Sequence, residues 1–164
     1  MKAQKLAEGT LHFLQGVEHL QVVFDYSHVL IQGNTEETIF AIKGKEWAEK
    51  WEEAKTTTFS KQFIGHLNKN VNARKKVLLC GDYPDVEYRA TVRVLTIGRV
   101  WGITCEVIFT KTGQTTPLAV IRKLKGDSRR WGGIGGMGSN TYLTGSAFSF
   151  AGQNLGIFMA KKIK

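Results

Sequence analysis

Val86-Glu87-Tyr88-Arg89-Ala90-Thr91-Val92-Arg93-Val94 is the stretch on which the reading of this chain turns. Val86, Tyr88, Ala90, Val92 and Val94 alternate with Glu87, Arg89, Thr91 and Arg93, and a period of two places the two sets on opposite faces of a strand. One face is apolar and the other charged, so the strand is half buried. The pattern repeats at once. From Trp101 to Thr110, the residues Ile103, Cys105, Val107 and Phe109 take the apolar side, with Thr104 and Glu106 on the polar one. Lys111-Thr112-Gly113-Gln114 has hairpin-turn chemistry and leads into a third strand, Leu118 to Leu124. Three such strands in succession read as an antiparallel meander with one wet face.

Upstream, Leu11 to Leu14 reads as a short strand and His19 to Ile31 as a longer one, in which Leu20, Val22, Phe24 and Tyr26 alternate with Gln21, Val23, Asp25 and Ser27. Gly33-Asn34 ends it, and Thr35 with Glu37-Thr38 behind it opens a helix. The helical pattern runs to about Val71. Trp47, Trp51 and Ala54 fall at i, i+4 and i+7, Phe59, Phe63 and Leu67 continue the stripe, and the run Thr56-Thr57-Thr58 is where it would break. Both tryptophans suit core packing. Lys76 to Cys80 is a short apolar strand closed by the turn Gly81-Asp82-Tyr83-Pro84-Asp85.

Downstream, Thr141 to Lys162 reads as a helix with Phe148, Ala151, Leu155, Phe158 and Met159 on one face. Gly145, Gly152 and Gly156 cost helix propensity but permit close approach to a sheet or another helix. The element order β-β-α-β-β-β-β-α predicts an α+β fold, an antiparallel-rich sheet with two helices packed on one face.

The chain has 164 residues, 42% of them hydrophobic, which is enough for one domain with a substantial core and too apolar for disorder. That domain is expected to span 9–164. Met1 to Glu8 is polar, and Lys2-Ala3-Gln4 reads like the tail of a removed export signal, so 1–8 is expected to be a disordered remnant.

With the segments Phe24-Asp25-Tyr26-Ser27, Gly81 to Asp85 and Gly145-Ser146-Ala147-Phe148 through Gly152-Gln153-Asn154-Leu155-Gly156 in hand, the chain resembles an uncharacterised family of exported proteins from Bacteroidetes. The resemblance covers the chain from about Gly9 to the end. Its motifs are structural and carry no activity over. It implies a periplasmic or secreted location. The element order also looks like that of small α/β domains in bacterial envelope lipoproteins, a likeness of fold alone.

Chemistry is sparse. The net charge of +9 invites an anionic partner, but the basic residues are scattered. The densest runs are Arg74-Lys75-Lys76, Arg122 to Arg130 and Lys161-Lys162, and a solvated surface explains such scatter as well as a binding patch does. Nucleic acid is therefore disfavoured as a partner. Cys80 and Cys105 lack metal spacing and leave a disulfide and two buried thiols equally open, while the four dispersed histidines offer no metal site. Gly133-Ile134-Gly135-Gly136-Met137-Gly138 is a literal G-x-G-x-x-G without the preceding strand or the later acid of a dinucleotide site, so it reads as a loop and no cofactor is expected. Trp131 to Ala160 carries no charge, yet its Ser, Thr, Gln153 and Asn154 argue against a membrane span.

Two places remain. Asp25 sits mid-strand near Tyr26 and His28, where a small hydrolytic enzyme could use it if a second polar group converged on it. On the wet face, Arg89, Arg93, Thr91 and Thr104 mix with Glu87 and Glu106, flanked by Arg99, Arg122 and Lys123. The mixture of signs predicts cross-strand ion pairs. With Arg129 and Arg130 added, Arg89, Arg93, Arg122 and Lys123 are the candidate ligand-binding residues, for a polyanion if the face is a basic groove. The leading expectation is a non-enzymatic exported domain that binds or assembles with an envelope or extracellular macromolecule.

Overall fold

A computed structural model describes residues 4–73, 78–128 and 140–163. The fold is α+β: a seven-stranded mixed sheet with helices on one face. The strands are β1 (Lys5–Gly9), β2 (His19–Asp25), β3 (Leu30–Ile31), β4 (Leu79–Gly81), β5 (Tyr88–Ile97), β6 (Ile103–Lys111) and β7 (Ala119–Gly126). The helices are α1 (Glu36–Lys43), α2 (Lys45–Ala54), α3 (Ser60–Val71) and α4 (Asn140–Lys162). The sheet runs β1-β7-β6-β5-β2-β4, with β3 paired to the end of β5.

The meander β5-β6-β7 is antiparallel, as its alternation requires. The other half of the sheet differs from the expected antiparallel-rich arrangement. β2 lies between β4 and β5 and is parallel to both, and β3 is parallel to β5. A helical run between β2 and β4 carries the chain back to its starting edge, so the second strand enters in the same direction as the first.

Four local expectations are corrected. Leu11–Leu14 carries a 3₁₀ turn (His12–Leu14) rather than a strand, with Leu11 and Leu14 buried beneath the sheet. Lys5 to Glu8, expected in a disordered remnant, form β1 with Gly9 and pair with β7 across a bulge. The long strand His19–Ile31 is two strands, because Ser27 and His28 turn the chain between them. The first helix breaks at Gly44, whose φ of 99° is in the region open to glycine, and not at the threonines.

At Thr56-Thr57-Thr58 the helix widens instead of ending. Ser60 N–H bonds to Lys55 O, five residues back, giving a π-type turn over Lys55–Phe59. The hydroxyls of Thr56 and Thr57 both reach Glu53 O, and that of Ser60 reaches Thr56 O, competing with the ordinary ladder.

The core lies between the sheet's inner face and the pair α3 and α4. Phe148 is fully buried, stacked on Phe59 at 4.9 Å and edge-on to Phe24 and Phe63. A side chain on Gly152 would run into the Phe63 carbonyl of α3, and one on Gly126 of β7 into the Ala147 carbonyl of α4. These glycines set how closely α4 approaches helix on one side and sheet on the other. Asn68 of α3 and Asn72, which caps its end, each bond both the N–H and the C=O of a residue at or just before β4, Asn68 to Cys80 and Asn72 to Leu78. That covers an edge which would otherwise present unpaired backbone groups.

Candidate interaction face

The sheet's second face holds the residues that alternation sends away from the core. Register aligns them in rows across the strands. One row reads Asp25 on β2, Arg93 on β5, Glu106 on β6 and Arg122 on β7, and Glu8 on β1, paired with Val120 in the next row, reaches Arg122 from there. Its signs alternate, and every neighbour is in ion-pair contact. Arg93 Nε lies 3.6 Å from Asp25 Oδ2, and Arg93 Nη1 donates to Glu106 Oε1 at 3.1 Å. Glu106 Oε2 lies 3.7 Å from Arg122 Nε, and Arg122 Nη2 is 3.5 Å from Glu8 Oε2. Glu106 is the hinge of this ladder, because each of its oxygens serves a different guanidinium and its side chain is only 17% exposed.

A bulge shapes the β7 end. Cys105 pairs with Leu124 and Val107 with Ile121, so Arg122 and Lys123 together oppose Glu106. Lys123 takes φ 62°, a conformation a β-strand does not use, and this keeps Leu124 directed into the core.

The next row is apolar: Val23 on β2, Thr91 on β5, Ile108 on β6 and Val120 on β7. A third row is polar, Gln21 against Arg89 against Thr110. Gln21 donates to Asp82 Oδ1 and accepts from Tyr83 N–H, which ties the turn after β4 to this row. Arg89 Nε has no hydrogen-bonding partner among the described residues.

Of the six basic residues singled out by sequence, Arg93 and Arg122 are brought together through Glu106, Lys123 joins them at the bulge, and Arg89 lies four residues from Arg93 along β5. Arg129 and Arg130 lie outside the described residues, as does the Gly133–Gly138 segment. Asp25 meets a hydroxyl and a guanidinium rather than a second acid. Hydrogen bonds from Ser27, whose N–H donates at 2.8 Å, hold its carboxyl below the usual aspartate range against the opposing effect of burial, and Arg93 and His28 add to the lowering. The carboxylate thus serves the turn and the ladder. Sequence reasoning did not single out Glu8 or the row Val23, Ile108, Val120. Extending the alternation of β6 by one step to Ile108 would have found part of that row.

A second charged cluster lies on the helical side. Lys55 of the π-type turn is 2.7 Å from Glu36 Oε2 and 3.0 Å from Glu52 Oε2, with its ammonium 4.7 Å above the Tyr26 ring. Trp47, Trp51 and Trp101 pack beside it, Trp47 and Trp51 stacked at 4.9 Å, as the core reading of the first two anticipates. This cluster fastens the widened helix to the start of α1. Burial raises the Tyr26 hydroxyl far above its ordinary value.

Cys80 and Cys105 are both free and buried; burial pushes Cys80 up to about 12 and Cys105 higher still. Two strands, β2 and β5, separate the strands that carry them. Among the described residues no three metal-ligating side chains cluster, and no helix is long and apolar enough to cross a membrane.

No protein-family model and no curated protein matches the chain. Among solved structures it is similar to a PelC variant dodecamer from Paraburkholderia phytofirmans, at 10% identity and a TM-score of 0.39 over 92% of this chain and 98% of that one. A similarity this distant transfers neither assembly nor activity.

Proposed function

We propose that this chain is a non-enzymatic binding or assembly module that meets a macromolecule of the cell envelope or the cell exterior through the outer face of its sheet. The observation that carries the reading is the ladder from Asp25 to Glu8, which neutralises Arg93 and Arg122 within the chain. Guanidiniums committed to three carboxylates are poor partners for phosphates or sulfates, which favours a protein-like surface over a polyanion. Beside the ladder, the half-buried Val23, Thr91 and Ile108 offer apolar area with little side-chain entropy to lose. The location rests on the sequence resemblance.

A photo-crosslinking residue at Ile108, compared with one at the exposed Glu53 of α2, tests the face in the source cells. Adducts from Ile108 alone, in a periplasmic or secreted fraction, are the expected result. Equal adducts from both positions, or none from either, overturn the reading. The intact mass of the fractionated native protein tests the location independently.

A further inference from the structure

We infer that Arg89 is a receptor for one carboxylate group, in a part of the outer face that the ladder does not reach. The inference goes beyond the reading of that face as a contact surface, since it concerns a single side chain and the chemistry it takes.

Three guanidiniums project from the described strands on this face, those of Arg89, Arg93 and Arg122. Arg93 and Arg122 are held by Asp25, Glu106 and Glu8. Arg89 is half-buried and pairs with no carboxylate among the described residues. Its Nε is shut off from solvent and donates to nothing. Arg93 Nε also lacks a hydrogen bond, but Asp25 Oδ2 stands 3.6 Å from it and balances its charge. A buried donor on a charged group has lost its water and gained nothing in return, a larger loss than for a neutral group. An acceptor brought from outside the chain restores it.

The surroundings say which acceptor. β4 and β5 lie on opposite sides of β2, so residues 82–87 must cross that strand. Gln21 donates to Asp82 Oδ1 and accepts from Tyr83 N–H, which puts the crossing on the outer face. The Tyr83 ring lies against Gly81 and edge-on to His19 at 4.8 Å. These groups wall the β2 side of Arg89. On the β6 side Thr110 pairs with Arg89, and Thr112 follows on the same face, its N–H bonded to Glu87 O. Thr112 Oγ1 is a second buried polar atom without a partner. Register sets it diagonally across from Arg89, where positions lie about 7–8 Å apart and a long side chain spans the gap. Two unpartnered donors so placed suit one small oxyanion, which meets the guanidinium fork with both oxygens and the hydroxyl with a remaining lone pair.

Charge selects a carboxylate over a polyanion. Glu87 lies two residues before Arg89 on the same face and Asp82 stands in the crossing, both exposed. One positive charge flanked by two negative ones repels a phosphate dianion or a sulfated chain, while a single carboxylate needs only the direct contact.

The readout is the Nε–H resonance of Arg89 in the full chain, assigned by its loss in Arg89→Lys. Sodium acetate is exchanged for sodium chloride at constant ionic strength. A saturable shift at Arg89 is expected, with a dissociation constant in the millimolar range and the Nε–H signals of Arg93 and Arg122 unmoved. Arg89→Lys keeps the charge but lacks the fork and should weaken acetate at least about fivefold, read at the backbone amides of Gly81 and Thr110. Thr112→Val should weaken it about two- to threefold. The thermal midpoint of each variant reports an intact fold. A blocked Ala-Glu-Ala peptide separates the sources of the carboxylate: tighter binding than acetate assigns it to a protein side chain, equal or weaker binding to a free small acid, and either bears the site out. No shift at Arg89, or one shared equally by Arg93 and Arg122, overturns the inference. So does an Arg89 Nε–H that Glu87→Gln or Asp82→Asn moves as far as acetate does, because the acceptor is then within the chain. Either failure leaves crosslinking at Ile108, and the reading it tests, untouched.

Discussion

The two faces of this sheet are made from the same strands, and they are stabilised in opposite ways. On the inner face Val92, Val107 and Ile121 meet Phe148 and its ring neighbours, and glycines bring backbones together more closely than any side chain allows. On the outer face Arg93, Glu106 and Arg122 meet one another in partial contact with water. Burial of apolar area stabilises in proportion to surface and tolerates no gap, whereas ion pairs near solvent contribute little each and tolerate rearrangement. The comparison separates what makes the domain fold from what it presents to others.

The sharpest way to break the comparison is to open the inner face. Phe148→Ala removes the ring shared by Phe59, Phe63, Phe24 and Tyr26, and should cost about 3–5 kcal/mol in denaturant unfolding. Gly152→Ala comes next. Its Cβ meets a backbone carbonyl that cannot step aside, so α3 and α4 must part at a cost of about 1–3 kcal/mol, visible as a lowered Tm. A cost near zero for either would mean that the inner face is not close-packed.

On the outer face the effects shrink. Glu106→Gln removes the charge between two guanidiniums and should cost about 1 kcal/mol, and a double-mutant cycle with Arg93→Gln should show that most of it is shared. Asp25→Asn should cost about 0.5 kcal/mol or less at pH 7. The sign of its pH dependence is set. Asp25 is held below the ordinary aspartate value of 3.8, so its contribution is complete above that pH and disappears as pH falls through the folded-state value. The stability difference between Asp25→Asn and the native chain should therefore close in acid; a gap that is constant with pH would remove the ladder's first step.

Legibility in the sequence divided along similar lines. The meander and its two faces were readable because alternation is local, and so were the start of α1 at Thr35, whose side chain accepts from Thr38 N–H, and the run of α4. Arg93 with Glu106 was readable too, since hairpin neighbours lie close in sequence. Asp25 with Arg93 was not, because nothing local says that β2 lies beside β5. β1 escaped because Lys5-Leu6-Ala7-Glu8-Gly9 has little strand character of its own and becomes a strand by pairing with the open edge of β7. The threonine run was legible as an irregularity but not as a widening, because hydroxyls that compete for carbonyls can end a helix or loosen it, and packing of Phe59 against Trp51 and Phe148 decides which.

By itself, then, the sequence determined which residues face the core and which face away, since periodicity along one element needs no knowledge of any other. Only the tertiary structure decided which strands are neighbours, that half of the sheet is parallel, and that scattered charges form one alternating row. Those are contacts between segments far apart in the chain, and the energy that selects them comes from burying all the elements against one another at once.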